Sequence, residues 1–359
     1  MGKKANINLQ IFGAGILMTH LTALVQESDG VRAGKDIEAV HRMRVASRRL
    51  RATLPLFGPH LAGKRHLLWI KSVRSITRAL GEARDSDVQI DHVNRFLETL
   101  QPPNRAGVRR LLLRLRQQRL ALQPKVLKAL DKFEKSGLVS EMAQKLAPFD
   151  IYRDRLDSND PVLIEMADQA IRTRLGEFLA FDEIVPQPDK VQELHAMRIA
   201  AKRLRYTLET FAPLFEDGLK TTIKSMRASQ DMLGEIHDSD VWDVTMQEFM
   251  DEERLRTIEY FGTARPYKRL APGLLLYQEA RRSERNSIYE IFTQSWEQWK
   301  NEGLWDDLTA LLDARLASVA VSEEPDEPVP SVEEAVAEQM VKSEPEDSPG
   351  EDQDQSPVQ

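Results

Sequence analysis

The chain has 359 residues, 41% of them hydrophobic and 30% charged, enough for one large core or two domains of ordinary size. It contains no cysteine, which excludes disulfides, thiolate metal sites and a thiol nucleophile and agrees with an intracellular, cytoplasmic setting. The formal charge of −7 is unevenly spread: from Ser322 onward there are thirteen acids and one base, Lys342, so residues 1–321 carry +5.

At the N-terminus Lys3 and Lys4 precede a short apolar run, Ile11 to Met18, with the outline of a secretory signal. Two glycines interrupt the run and no A-x-A cleavage site follows. Leu17, Leu21, Leu24 and Val25 carry a helical period on to the polar Gln26-Glu27-Ser28, so this stretch reads as the first helix of the domain. No segment is expected to approach the roughly 20 apolar residues that span a bilayer, so no membrane partner is expected.

Nearly every periodic segment reads as helix, and none alternates with the two-residue period of a strand. The pattern predicts helices near 11–28, 37–57, 63–82, 85–99 and 105–135, the third preceded by the turn-like Gly58-Pro59. A parallel set is predicted near 161–181, 190–212, 217–233, 239–256 and 268–301, with a shorter helix near 304–319. Asp160-Pro161 combines an N-cap with proline at the first helical position. Asp189 with Gln192 has the form of a capping box. The last segment, 322–359, is rich in Pro, Glu, Asp, Ser and Gln, the composition of a disordered acidic tail.

The segment His41 to Phe57, HRMRVASRRLRATLPLF, returns as HAMRIAAKRLRYTLETF from His195 to Phe211, with ten of seventeen positions identical. The chain is therefore an internal duplication. At about 100° per residue, with His41 at zero, Arg44, Arg48 and Arg51 fall at roughly −60°, −20° and −80°, forming one stripe. Met43, Leu50, Leu54 and Phe57 occupy the opposite face. His195, Arg198, Lys202 and Arg205 repeat the stripe, backed by Met197, Leu204, Leu208 and Phe211. A solvated face would intersperse glutamates, yet neither stripe reads as holding an acid. An anionic ligand is expected to compensate.

A second motif repeats as well: Leu80-Gly81-Glu82-Ala83-Arg84-Asp85-Ser86-Asp87-Val88 matches Leu233-Gly234-Glu235-Ile236-His237-Asp238-Ser239-Asp240-Val241. Glycine followed by Asp-Ser-Asp reads as a helix stop and a fresh N-cap. Lys71, Arg74 and Arg78 before the first copy, and Lys224 and Arg227 before the second, would extend the basic surface.

These motifs, His-x-Met-Arg-(Val/Ile)-Ala-x-(Arg/Lys)-Arg-Leu-Arg and, some 40 residues on, Leu-Gly-x-x-(Arg/His)-Asp-x-Asp-Val, resemble the conserved histidine α-helical domain, CHAD. The resemblance covers about 11–319. It implies an all-α fold of two four-helix bundles related by a pseudo-twofold axis, with repeats at 1–150 and 151–321, and a central basic surface that binds inorganic polyphosphate. On that resemblance His41, Arg44, Arg48, Arg51, His195, Arg198, Lys202 and Arg205 are the polyphosphate ligands. The arginine usual before the aspartate of the second motif is Arg84 in copy one and His237 in copy two, which leaves that contact unassigned in the second half. Many family members are fused to a triphosphate-cleaving CYTH barrel marked by Glu-x-Glu-x-Lys; the motif does not occur here, so triphosphate hydrolysis is not implied.

The residue types suit such a polymer. Arginine engages phosphate bidentately, lysine acts as a point charge, and histidine near arginines stays neutral until an anion arrives. Nucleic acid is the rival polyanion, but Tyr206 is the stripes' only aromatic residue and base stacking has no other apparatus. A hydrolase is the rival class. His237-Asp238 has the form of a metal-binding dipeptide, but its counterpart Arg84-Asp85 cannot ligate a metal through arginine. Gly58-x4-Gly63-Lys64 approximates a phosphate loop, but Arg65 stands where Ser or Thr would hold a metal. The expectation is a binding protein without cofactor or metal rather than an enzyme. Association with polyphosphate granules is compatible with that role, and the acidic tail is a candidate competitor for the basic track.

Overall fold

The computed structural model describes residues 6–34 and 36–320; Lys3, Lys4 and the acidic segment 322–359 lie outside the described residues. Among the described residues there is no strand, and the fold is all-α. The helices are α1 (Ile7–Gln26), α2 (Ser28–Ala33), α3 (Ile37–Ala62), α4 (His66–Thr99), α5 (Arg105–Lys135) and α6 (Leu138–Asp150), then α7 (Pro161–Leu179), α8 (Val191–Phe211), α9 (Lys220–Phe261), α10 (Ala271–Asn301) and α11 (Leu304–Ala320).

The packing order repeats. In the first part α1 packs on α3, α3 on α4 and α4 on α5, while α6 returns to α1; in the second α7 packs on α8, α8 on α9 and α9 on α10, while α11 returns to α7. The parts meet where α3 touches α8 and α5 touches α10. One apolar core runs from Leu9 to Val319 through both parts, and a second, around Leu111, Trp242 and Tyr277, joins the far ends of α4, α5, α9 and α10. Glycine makes the α5–α10 crossing possible: a Cβ on Gly107 would collide with the Leu270 carbonyl, and one on Gly273 with the Asn104 carbonyl.

Several local expectations hold. The Asp160 side chain accepts from the Leu163 amide at 3.0 Å, with Pro161 at the first helical position. Others are corrected. The segments 63–82 and 85–99 are one helix, as are 217–233 and 239–256: α4 and α9 run straight through the Gly-x-x-x-Asp-x-Asp motif. Gly58-Pro59 lies inside α3, which ends instead at Gly63 with φ +48°. The Asp189 capping box does not form, because α8 starts at Val191 after Lys190 with no side-chain cap. Helix α6 falls in a region assigned no element; its Leu138, Met142, Leu146 and Phe149 are buried in the larger core.

The expectation about apolar length is also corrected. Ile7–Ala33 is apolar and long enough to cross a membrane by composition, with hydropathy 1.4 in its most apolar window. In the fold its Leu9, Ile11, Phe12, Leu17, Leu21 and Leu24 are buried core residues.

Candidate functional site

The rotation of α3 and α8 is set by their apolar faces. Met43, Leu50, Leu54 and Phe57, with Met197, Leu204, Leu208 and Phe211, are all fully buried, at about 1.5–3 kcal/mol each for the large side chains. Phe57 and Phe211, matching positions of the two copies, meet edge to face at 5.9 Å, and Phe12 of α1 packs against both at 5.7 and 6.0 Å. With those faces locked together, the opposite stripes are carried to the junction of the two parts.

The junction is built around Tyr206, which is 9% exposed. The Arg48 guanidinium of α3 lies 5.6 Å from its ring centroid and that of Arg205 of α8 lies 4.8 Å away. Burial lowers the Arg48 pKa, and the charges of Arg44, Arg198 and Arg205 lower it further. Lys202 is pushed down to about 7, first by burial and then by Arg48, Arg198 and Arg44. Arg51 is lowered by burial, then by Arg74 and Arg44. Cations of both copies therefore repel one another at close range.

The histidines edge this cluster. His41 is lowered by burial and by Arg84, His195 by burial and by Arg198, and His237 is driven down to about 4 by burial, His195, Arg198 and Lys202. The Nδ1 atoms of His195 and His237 are 3.0 Å apart, so one ring donates to the other. The ring centroids are separated by 4.0 Å.

The second motif serves the first. Gly81 lies against Arg44, where a Cβ would stand 2.9 Å from Nη1; at Gly234 a Cβ would stand 3.7 Å from Arg198 Nε. Four residues on, Asp85 accepts from Arg44 Nη2 at 3.0 Å. Its counterpart Asp238 has its pKa raised by burial, against the pull of Arg198 and with the repulsion of Asp85. The last acid of each copy holds the next helix: Arg119 of α5 donates to Asp87 at 2.7 Å, and Arg285 of α10 to Asp240 at 2.9 Å. The motif therefore places glycine and the first aspartate by the cations and uses the second aspartate as a tether. It does not cap a helix.

Of the sequence-predicted residues, the structure brings together His41, Arg44, Arg48, Arg51, Arg74, His195, Arg198, Lys202 and Arg205. Lys71, Arg78 and Lys224 are exposed on α4 and α9, and no ion pair among the described residues ties them to the centre. Arg227 lies 4.0 Å from Glu209. The expectation of acid-free stripes fails at Glu209, one turn beyond Arg205, which accepts from Arg205 at 2.8 Å and from Arg49 at 3.3 Å. Glu209, Arg49, Arg227, Tyr206 and the half-buried His20 line a cavity of about 320 Å³ beside the cluster. Sequence reasoning passed over Glu209, although its i+4 spacing from Arg205 signals the pair. Tyr206 falls on the stripe at roughly +20° from His195 and was legible by the same geometry.

In contrast, of the seven buried side-chain atoms without a hydrogen-bond partner among the described residues, two are guanidinium donors of this cluster, Arg48 Nη2 and Arg198 Nε. A buried unpaired guanidinium edge is costly, and here one comes from each copy.

These features define an all-α protein with a cationic centre that is only partly compensated by Asp85 and Glu209. The chain belongs to the CHAD domain family, whose sequence profile matches residues 15–247. It is similar to the crystal structure of the CHAD domain from the plant Ricinus communis, with 25% identity and a TM-score of 0.55 over 80% of this chain and 92% of that one. It shares the fold of PptA from Streptomyces chartreusis, with 17% identity and a TM-score of 0.55 over 80% of this chain and 99% of that one. An uncharacterised protein of Mycobacterium tuberculosis strain H37Rv is 27% identical over 265 residues, 69% of this chain. The chain spans about half the length, 46%, of that relative and of its counterpart in strain CDC 1551.

Proposed function

We propose that this chain binds inorganic polyphosphate in the cytoplasm, as a binder rather than a hydrolase, through the cation cluster at the α3–α8 junction. The observation that carries the reading is the pair of buried, unpartnered guanidinium atoms on Arg48 and Arg198, set among Arg44, Lys202 and Arg205. Phosphate oxygens are acceptors only, and a polymer of them satisfies donors from both copies at once. The matched packing orders, the reciprocal Gly107 and Gly273 contacts and the matched Asp87 and Asp240 tethers support two four-helix halves related by a pseudo-twofold axis, at 1–150 and 151–321. Such symmetry gives a polymer without sequence direction equivalent contacts from each half.

Two observations favour this ligand over the rivals. Tyr206 is buried between Arg48 and Arg205, so its ring is not offered to a base. His237 is engaged with His195, and Asp238 faces Arg198, so the dipeptide is committed to the cluster. Granule association follows as a cellular consequence of polymer binding; no membrane contact is part of the proposal.

The test is a titration of defined-length polyphosphate into the wild type, Arg48→Ala and Arg198→Ala at two salt concentrations, with RNA as competitor. Affinity should fall steeply with salt, drop in both variants and resist RNA. Equal affinity for RNA and polyphosphate, or unchanged affinity in both variants, would overturn the proposal.

A further inference from the structure

The stacking apparatus that the central cluster lacks stands at the far end of the molecule. The last turns of α9 carry Leu255, Ile258, Tyr260 and Phe261, all exposed, with Tyr260 82% and Phe261 58% accessible. The two rings meet edge to face at 4.7 Å, and Gly262, with φ +70°, ends the helix directly behind them. Apolar side chains gathered and exposed at one tip mark a contact surface.

Cations surround the rings. The first turns of α5, Arg105 to Arg119, hold six arginines and no acid. Arg110 and Arg114 of α5 and Arg256 of α9 all donate to Glu253, at 3.1, 2.7 and 2.8 Å, and Glu253 is fully buried. One carboxylate therefore faces three guanidinium groups. Arg109, Arg254, Arg265, Lys268 and Arg269 are exposed and have no ion pair or side-chain hydrogen bond among the described residues. Over 251–269 the acids in the same condition are Asp251 and Glu259, so positive charge is in excess.

Helical geometry orders these groups around the end of α9. At about 100° per residue, Tyr260 stands one turn beyond Arg256, which shares Glu253 with α5, and Phe261 stands two turns beyond Arg254. Arg254 lies close enough to Tyr267, in the 3₁₀ turn Arg265–Arg269, for its charge to act on that hydroxyl. A path thus runs from Arg110, Arg114 and Arg256 across the two rings to Arg254 and the turn. Unpaired nucleotides need both parts of it, donors for phosphate and a flat apolar face for each base. Polyphosphate has no ring to stack, and a duplex keeps its base faces stacked inside.

We propose that the α5–α9 end binds single-stranded nucleic acid, with bases stacked on Tyr260 and Phe261 and phosphates held by the cations on either side. Arginine engages phosphate bidentately and also stacks on planar groups, so Arg254 and Arg256 suit both neighbours of a stacked base. The surface is separate from the α3–α8 cluster: Tyr260 lies about 39 Å along the helix axis beyond Gly234, at 1.5 Å per residue. One chain then holds an inorganic polymer at its centre and a nucleic acid at its end. That pairing rests on the function proposed above, whereas the nucleic-acid surface rests on the α5–α9 end alone.

Fluorescence anisotropy of a labelled oligouridylate of about 20 nucleotides is measured with the full-length chain, Tyr260→Ala/Phe261→Ala and Tyr260→Trp. Both rings are exposed, so their removal spares the core. The double variant should raise Kd at least about tenfold, since a stacked base is worth roughly five- to a hundredfold in affinity. Tyr260→Trp should keep the wild-type value, and a duplex of the same length should bind more weakly. Long-chain polyphosphate, titrated in parallel, should bind the double variant within about twofold of wild type. No binding of the oligonucleotide, equal Kd in wild type and double variant, tighter binding of the duplex, or binding of phosphatidylglycerol vesicles in place of the oligonucleotide would overturn the inference. Failure of the wild type to bind polyphosphate while the oligonucleotide results hold counts against the proposed function alone.

Discussion

The two motif glycines occupy matching positions but are not equivalent, and the difference predicts a measurable asymmetry. In Gly81→Ala the new Cβ would stand 2.9 Å from Arg44 Nη1, too close to persist, so the flexible guanidinium must swing away and its bond to Asp85 must lengthen or break. In Gly234→Ala the Cβ would stand 3.7 Å from Arg198 Nε, an ordinary contact. Both sites lie inside long helices, where alanine is favoured over glycine by about 0.5–1 kcal/mol. Gly234→Ala should therefore raise stability by about that amount and leave polyphosphate affinity within about twofold. Gly81→Ala should gain less stability, because the Arg44–Asp85 pair is disturbed, and lose about 1.4 kcal/mol of binding, a tenfold rise in Kd. Urea denaturation and isothermal titration at fixed salt report the two quantities separately. Equal effects of the two substitutions on Kd would refute the assignment of Gly81 as the seat of Arg44.

Other outcomes follow from the same geometry. Arg48→Ala should leave stability unchanged or raise it by about 1 kcal/mol while weakening polyphosphate binding, because it removes a half-buried cation whose Nη2 has no hydrogen-bond partner; a large loss of stability in urea would show that the guanidinium and its contact with Tyr206 are structural. Asp87→Ala leaves Arg119 unpaired at a site where the carboxylate is only 4% exposed and should cost about 3 kcal/mol; an unchanged urea midpoint would remove the tether. His41, His195 and His237 are held below their ordinary range in the free chain, and a bound anion offsets the repelling charges, so binding takes up protons. Affinity should then rise as pH falls from 8 to 6, by up to about tenfold per pH unit for each proton taken up; an invariant Kd would remove the histidines from that role. His20 is driven down to about 4 by burial and Arg49. The unfolded chain thus binds the extra proton between about pH 6.5 and 4, so stability should fall as pH drops through that window, and His20→Gln should flatten the fall seen by urea denaturation.

The all-α class, the duplication and the two-faced character of α3 and α8 were legible in the sequence, because helical periodicity is a local property and both copies carry it in full. It also marked the cations that the structure gathers, since a stripe of arginines opposite a stripe of leucine and phenylalanine has only one way to face when the apolar side is buried. The course of α4 and α9 through their glycines was not legible. Gly81 followed by acids has the local form of a helix end, and only the presence of Arg44 against its bare backbone shows why glycine stands there inside a continuous helix. Pairings across the chain were likewise closed to sequence: Arg48 with Tyr206, Asp87 with Arg119 and His195 with His237 join residues dozens to more than a hundred positions apart. Which cations are neutralised, as Arg205 is by Glu209, and which keep a donor without a hydrogen-bond partner, as Arg48 and Arg198 do, depends on distances of a few ångströms between helices. Electrostatic energy falls with distance and rises with burial, and both quantities exist only once the helices have packed.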